Sequence, residues 1–265
     1  MTNSILRRLP AVFLLGTILA ACGGNKPAAV SPGPDALFQR AQTLLSQGKN
    51  RQAAQAFGLF IDQHAGDPRM PQALFGRGRA HTGAHEYILA TSDFMRVATE
   101  YGSDPLARDA RMGLCEAYVA LSPKPALDQE YTRAAISYCT SFASIYAGTP
   151  QANEAELHVA AMAAKLARKA YDNGNFYFRR KAYDAAIVYF NEAVNDFPGT
   201  PSAPAALLAL YQTYGRLRYA EEQAEARARL LRDYPQSAEA RSLAGTTAPA
   251  DSAAAPATPV AAPVP

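Results

Sequence analysis

Between about residues 35 and 241, small and apolar residues recur at the three- and four-residue spacing of amphipathic helices, interrupted by short turn signals. The clearest stretch runs from Ala167 to Thr200. With Ala167 as position 1, Gly174 falls at 8, Tyr177 at 11, Tyr183 at 17, Ala186 at 20, Phe190 at 24, Ala193 at 27 and Pro198 at 32. Two antiparallel helices account for that spacing. Small residues at 8 and 20 let the backbones approach, and the rings at 11, 17 and 24 fill the space around the contact. Pro198 cannot continue the second helix, so the chain turns there.

Weaker copies flank this unit. In the first, Leu37, Ala41, Leu44, Gly48, Ala53, Phe57 and Phe60 take positions 4, 8, 11, 15, 20, 24 and 27; in the second, Leu74, Gly78, Tyr87, Ala90, Phe94 and Val97 take 4, 8, 17, 20, 24 and 27. A third unit, about 106–149, is expected to hold helices around Ala107–Leu121 and Tyr131–Tyr146, with an insertion, SPKPALDQE, between them. A fifth runs from Pro204 to Tyr234 and ends at Pro235. Turn signals at Gly66-Asp67-Pro68, Gly102–Pro105, Gly148-Thr149-Pro150, Pro198–Pro201 and Pro235 lie about one helix pair apart, which an unrelated Ala-rich bundle does not explain.

The unit resembles the 34-residue tetratricopeptide repeat. That resemblance implies an all-α solenoid of about five helix pairs with a concave face lined by the first helix of each pair. In this register positions 2, 5, 9 and 12 face the groove. Phe38 and Gln42, then Phe75 and Arg79, become candidates for holding an extended peptide, and Tyr171, Asn175 and Phe178 candidates for a partner contact further along.

The two ends of the chain break the pattern. Arg7 and Arg8 precede a mostly apolar run, Leu9 to Ala20, that closes on Leu19-Ala20-Ala21-Cys22, a lipobox. A spanning anchor needs about 20 apolar residues, and this run is shorter. The expectation is a lipoprotein signal over residues 1–21, cleavage before Cys22, and diacylglycerol on the Cys22 thiol, so that acyl chains hold the protein to a membrane. Gly23, where inner-membrane lipoproteins commonly carry aspartate, favours the outer membrane. Residues 22–34 are rich in Gly, Pro and Ala and read as a flexible tether, 35–241 as the repeat domain, and 242–265 as a disordered Ala/Pro-rich tail.

Charge narrows the function further. The chain carries 26 basic and 23 acidic residues, and without Arg7 and Arg8 the balance is 24 to 23. A chain so near neutrality has no footprint for nucleic acid. No catalytic constellation, cofactor motif or metal site is expected. His81 and His85 are four apart beside Glu86, but Gly83 and Ala84 at a helix–helix turn break the face they would share. Gly76-Arg77-Gly78 lacks the preceding strand and third glycine of a phosphate loop.

Arg179-Arg180-Lys181 closes a helix, where cations favour the negative end of the macrodipole. Arg179 and Arg180 read either as a solvated helix end or as a contact for an acidic partner surface. Cys115 and Cys139 fall on the two helices of the third unit, with Cys139 at the position held elsewhere by Phe57, Phe94 and Phe190. Two buried small residues are the favoured reading, and a disulfide, permitted by export, is the other.

Within this frame, Leu127-Asp128-Gln129-Glu130-Tyr131-Thr132 in the third unit and Asn175-Phe176-Tyr177-Phe178-Arg179-Arg180-Lys181-Ala182-Tyr183-Asp184-Ala185-Ala186-Ile187 in the fourth resemble the BamD (ComL/YfiO) family. That family pairs an LDQ…T insertion with a FYxRRxAYxAAI block behind a lipobox. The resemblance covers about 35–238 and is strongest from 114 to 200. It implies a non-enzymatic, lipid-anchored scaffold at the periplasmic face of the outer membrane. Its implied partners are a BamA-like barrel protein with POTRA domains, other lipoproteins of the assembly machinery, and unfolded outer-membrane proteins. The alternative is another periplasmic repeat lipoprotein, a pilotin-like or CpoB-like adaptor.

Overall fold

The computed structural model describes residues 33–244; the expected signal peptide, the Cys22 acceptor, nearly all of the tether and the tail from residue 245 lie outside them. The described chain forms α1 (Pro34–Ser46), α2 (Asn50–Gln63), α3 (Met70–Gly83), α4 (Tyr87–Glu100), α5 (Leu106–Leu121), α6 (Glu130–Ile145), α7 (Pro150–Arg179), α8 (Tyr183–Asn195), α9 (Ser202–Leu217), α10 (Ala220–Asp233) and a short α11 (Ala238–Ala244). It is all-α, in five sequential pairs. The last helix extends the packed domain past the expected boundary at 241, because Ala240 and Leu243 are buried with the residues of α9 and α10.

Each helix packs on the next. The odd-numbered helices α1 to α9 also touch the following odd-numbered one, whereas no even-numbered helix touches the next even-numbered one among the described residues. First helices therefore sit on the shorter inner arc and second helices on the outer one, which curves the array and makes the inner face concave.

The sequence sets the turns within pairs. Gly48, His85, Lys181 and Arg218 each adopt a left-handed backbone two residues before the second helix begins, with φ of 69°, 61°, 63° and 62°. Such a residue satisfies the last carbonyls of the preceding helix and reverses the chain, and only Gly48 does so without the Cβ penalty. The third pair lacks this residue and carries the insertion instead.

Packing between helices follows one rule. A Cβ on Gly78 would fall 2.7 Å from the Phe94 ring and one on Gly174 2.5 Å from the Phe190 ring, so a small residue on the first helix receives the ring of its own second helix. Gly76 meets Phe57, and Gly113 meets Phe94, in the same way across consecutive pairs. In the third pair the ring is replaced: Cys115 and Cys139, both fully buried, are joined by a disulfide with Cα atoms 4.8 Å apart. Burial of the two was expected; the favoured reading of them as unbridged thiols is corrected, because α5 and α6 bring the two Cα atoms within the range that a disulfide spans.

α7 departs from the repeat length. Its 30 residues span about 45 Å, twice an ordinary first helix. Pro150 opens the helix and the Thr149 hydroxyl accepts from the Ala152 amide at 3.2 Å, so it starts at the Gly148-Thr149-Pro150 turn and not at Ala167. Its first half closes the third pair through Ala152 and Ala155, and its second half opens the fourth through Ala170 and Gly174.

Candidate functional site

The first candidate surface is the inner face of the second and third pairs. Phe75 from α3, Phe94 from α4, and Met112 and Gly113 from α5 floor a cleft of about 300 Å³, with Arg79, Asp109, Glu116 and Gln151 at its rim. Phe75 lies with its ring 5.6 Å from that of Phe94, and Arg79 is exposed, so both expected groove residues of the second pair do meet a concavity. Between the same two helices the buried Asp93 carboxylate accepts from Arg77, Nε at 2.9 Å and Nη2 at 2.5 Å, a bidentate pair tying α3 to α4.

Phe38 does not belong to that groove, and this corrects the expectation. It is buried against Phe57 and Phe60, ring centroids 6.1 and 5.2 Å away. The cause is Arg69, in the turn before α3, whose guanidinium lies over the rings of Phe38 and Phe60 at 5.1 and 5.3 Å. Asp67 grips that guanidinium at 2.7 Å and Asp35 at 2.7 Å. The grip holds the Asp67 carboxyl down at about 2 and raises Arg69 above the usual arginine value. Gln42, one turn further along α1, remains exposed.

The second candidate surface joins the insertion to the fourth pair. Lys165 on α7 donates to the Ser122 hydroxyl at 2.6 Å and to the Ser122 carbonyl at 3.2 Å. The Thr132 hydroxyl spends its proton on Gln129 Oε1, 2.7 Å away, so in the 2.6 Å contact with Ser122 it must accept. Gln129, almost fully buried, then donates from Nε2 to the carbonyls of Lys124 at 2.9 Å and Leu127 at 3.0 Å. Donors and acceptors run one way from Lys165 to the loop backbone. Lys169 adds a second pin by donating to the Leu127 carbonyl. Burial lowers the Lys165 pKa.

Pro125 and Ala126 of the pinned loop line a cleft of about 370 Å³ together with Phe176 and Arg179 of α7 and Tyr189 of α8. Tyr177 and Tyr189 stack with rings 5.4 Å apart, and the Arg180 guanidinium lies 3.6 Å from the centre of the exposed Phe176 ring. Arg179 and Arg180 are exposed at the end of α7, and the Leu127 side chain in the loop is also exposed. Tyr171 packs on Phe190 at 6.0 Å and Phe178 on Tyr183 at 5.6 Å, so these two brace the fourth pair and are only partly open, as is Asn175. The sequence motifs pointed at this region but not at Lys165, Lys169 or Phe176.

Neither surface brings together groups for bond-making chemistry. His81 donates from Nδ1 to the Glu86 carboxylate at 2.8 Å, and no cluster of three His, Cys, Asp or Glu suited to a metal occurs among the described residues. No described helix is long and apolar enough to cross a membrane.

A curved array of tetratricopeptide-like helix pairs with a clefted inner face and a pinned loop defines a docking scaffold. The chain belongs to the YfiO family, outer membrane lipoproteins, whose profile matches residues 32–230. It is 26% identical over 246 residues, 88% of this chain and 93% of the relative, to outer membrane protein assembly factor BamD of Rickettsia prowazekii (strain Madrid E). Among solved structures it is similar to a thermophilic TPR protein of Thermus thermophilus, at 19% identity over 81% of this chain and 98% of that one with a TM-score of 0.33. It is also similar to YrrB, a TPR protein with an unusual peptide-binding site, at 16% identity over 80% and 92% with a TM-score of 0.37.

Proposed function

We propose that this lipoprotein is a non-enzymatic scaffold of outer-membrane protein assembly, anchored by acyl chains on Cys22 and facing the periplasm. Its insertion and fourth pair hold a BamA-like barrel partner through Arg179, Arg180 and the aromatic surface beside them. Its inner cleft at Phe75 and Arg79 receives unfolded outer-membrane proteins, and other lipoproteins of the machinery join the same assembly. The observation that carries this reading is the match along nearly the whole length of a relative named as an assembly factor. The pinned loop supports it, because a surface fixed before contact loses less conformational entropy on binding.

A mild-detergent pulldown from the native envelope tests the proposal. Recovery of a POTRA-containing barrel protein together with other envelope lipoproteins is the expected result. Recovery of division or pilus proteins without such a barrel overturns it in favour of an adaptor.

A further inference from the structure

The third pair is the one whose core contact is covalent. In the second and fourth pairs a glycine on the first helix faces a phenylalanine on the second, Gly78 with Phe94 and Gly174 with Phe190, and in the first pair Ala41 and Phe57 share one buried cluster. Cys115 stands two residues beyond Gly113, as Gly78 stands two beyond Gly76, and Cys139 holds the phenylalanine position. The surrounding core is thin, built from Met112, Phe142, Ala143, Ala152 and Ala155. Two unbridged cysteines do not fill a ring's volume, and the residual void would loosen the pair that carries the insertion.

We propose that a disulfide-donating thiol oxidoreductase completes the folding of this protein, and that the bond it installs between Cys115 and Cys139 replaces the glycine–phenylalanine contact of the other pairs. Both cysteines are fully shielded in the folded state, so no catalyst of protein size reaches them once α5 has closed on α6. Oxidation therefore precedes or accompanies that closure. One Cys thiolate attacks the donor's disulfide, giving a mixed disulfide and releasing one donor thiolate. The second Cys thiolate then attacks the protein sulfur of the mixed disulfide and expels the other donor thiolate. Two protein thiols are oxidised, one donor disulfide is reduced to a dithiol, and two protons pass to the donor sulfurs. The bond closes a loop of sequence separation 24 that contains the whole insertion, Ser122 to Glu130. Oxidation thereby limits the freedom of the segment that Lys165 and Lys169 pin.

The test uses the exported full-length lipoprotein and two double variants. Thiol labelling of the wild type in denaturant without reductant should find no free thiol. Added dithiothreitol should open the bond in denaturant far faster than in the native protein. Cys115→Ala with Cys139→Ala should lower the melting temperature by on the order of 10 °C. Cys115→Gly with Cys139→Phe, which restores the ordinary contact, should recover at least half of that loss and fold equally well in cells with and without the disulfide donor. Free thiols in the exported protein overturn the proposal, as does an alanine pair that melts with the wild type. A Gly–Phe pair no more stable than the alanine pair overturns the equivalence on which it rests.

Discussion

Gly174 faces the Phe190 ring so closely that a Cβ on the glycine would fall 2.5 Å from Cδ1 and Cε1 of the ring, closer than real packing permits. Alanine has the higher helix propensity by about 1 kcal/mol, so an open site in α7 would gain from Gly174→Ala. Here the ring is fully buried and cannot step aside. Overpacking wins, and Gly174→Ala is expected to destabilise by about 1–3 kcal/mol, read in chemical denaturation. A neutral or stabilising result would mean that α7 and α8 do not approach as described.

The left-handed turn residues supply the opposite case. Lys181 is exposed and holds φ at 63°, a conformation that costs an L-residue about 1–2 kcal/mol and glycine almost nothing. After allowing for glycine's greater freedom in the unfolded chain, Lys181→Gly should stabilise by about 0.5–1 kcal/mol. Gly48→Ala, at the corresponding turn of the first pair, should destabilise by a similar amount. Thermal melts of both variants check the shared geometry.

The Asp67–Arg69 grip predicts a pH dependence. Asp67 sits at about 2 in the folded chain against an ordinary 3.8, with the hydrogen bonds from Arg69 as the main cause. A depressed carboxyl adds stability that is fully present above the unfolded value and is lost as pH falls through the folded one. Asp67→Asn should therefore melt below the wild type at pH 7, and the gap should close between about pH 4 and 2. A gap that is constant across that range would place the loss in packing alone.

Much of this architecture is legible in the sequence, because each pair repeats one contact and states it in residue types. The third pair was expected at Ala107–Leu121 and Tyr131–Tyr146 and stands at Leu106–Leu121 and Glu130–Ile145. The 30-residue α7 was missed because counting 34-residue units starts the fourth one at Ala167, although no Gly or Pro interrupts the stretch from Gln151 to Asn173. The burial of Phe38 depends on Arg69, a residue 31 positions away, and no local pattern carries such a contact. The LDQ…T motif was visible, but not that Gln129 spends its amide inside the loop while Lys165 and Lys169 reach in from another helix.

The proposed anchor is tested by Cys22→Ser, which removes the thiol proposed to accept the lipid. The chain should remain unprocessed or unlipidated and leave the outer-membrane fraction, since no described helix can take over as a membrane span. Unchanged outer-membrane fractionation would argue against lipidation as the anchor.

The proposed partner surface rests most directly on Arg179 and Arg180. Both are exposed, and the main intramolecular contact Arg180 makes is its stack on Phe176, worth about 0.5–1 kcal/mol at such a site. Arg179→Glu with Arg180→Glu should shift the melting temperature only slightly. A like charge placed in an interface costs several kcal/mol, so the same variant should lose most of the barrel partner in a mild-detergent co-purification from the native envelope. A stable variant that retains the partner at wild-type yield would contradict the assignment of this surface and leave the arginines as a solvated helix end.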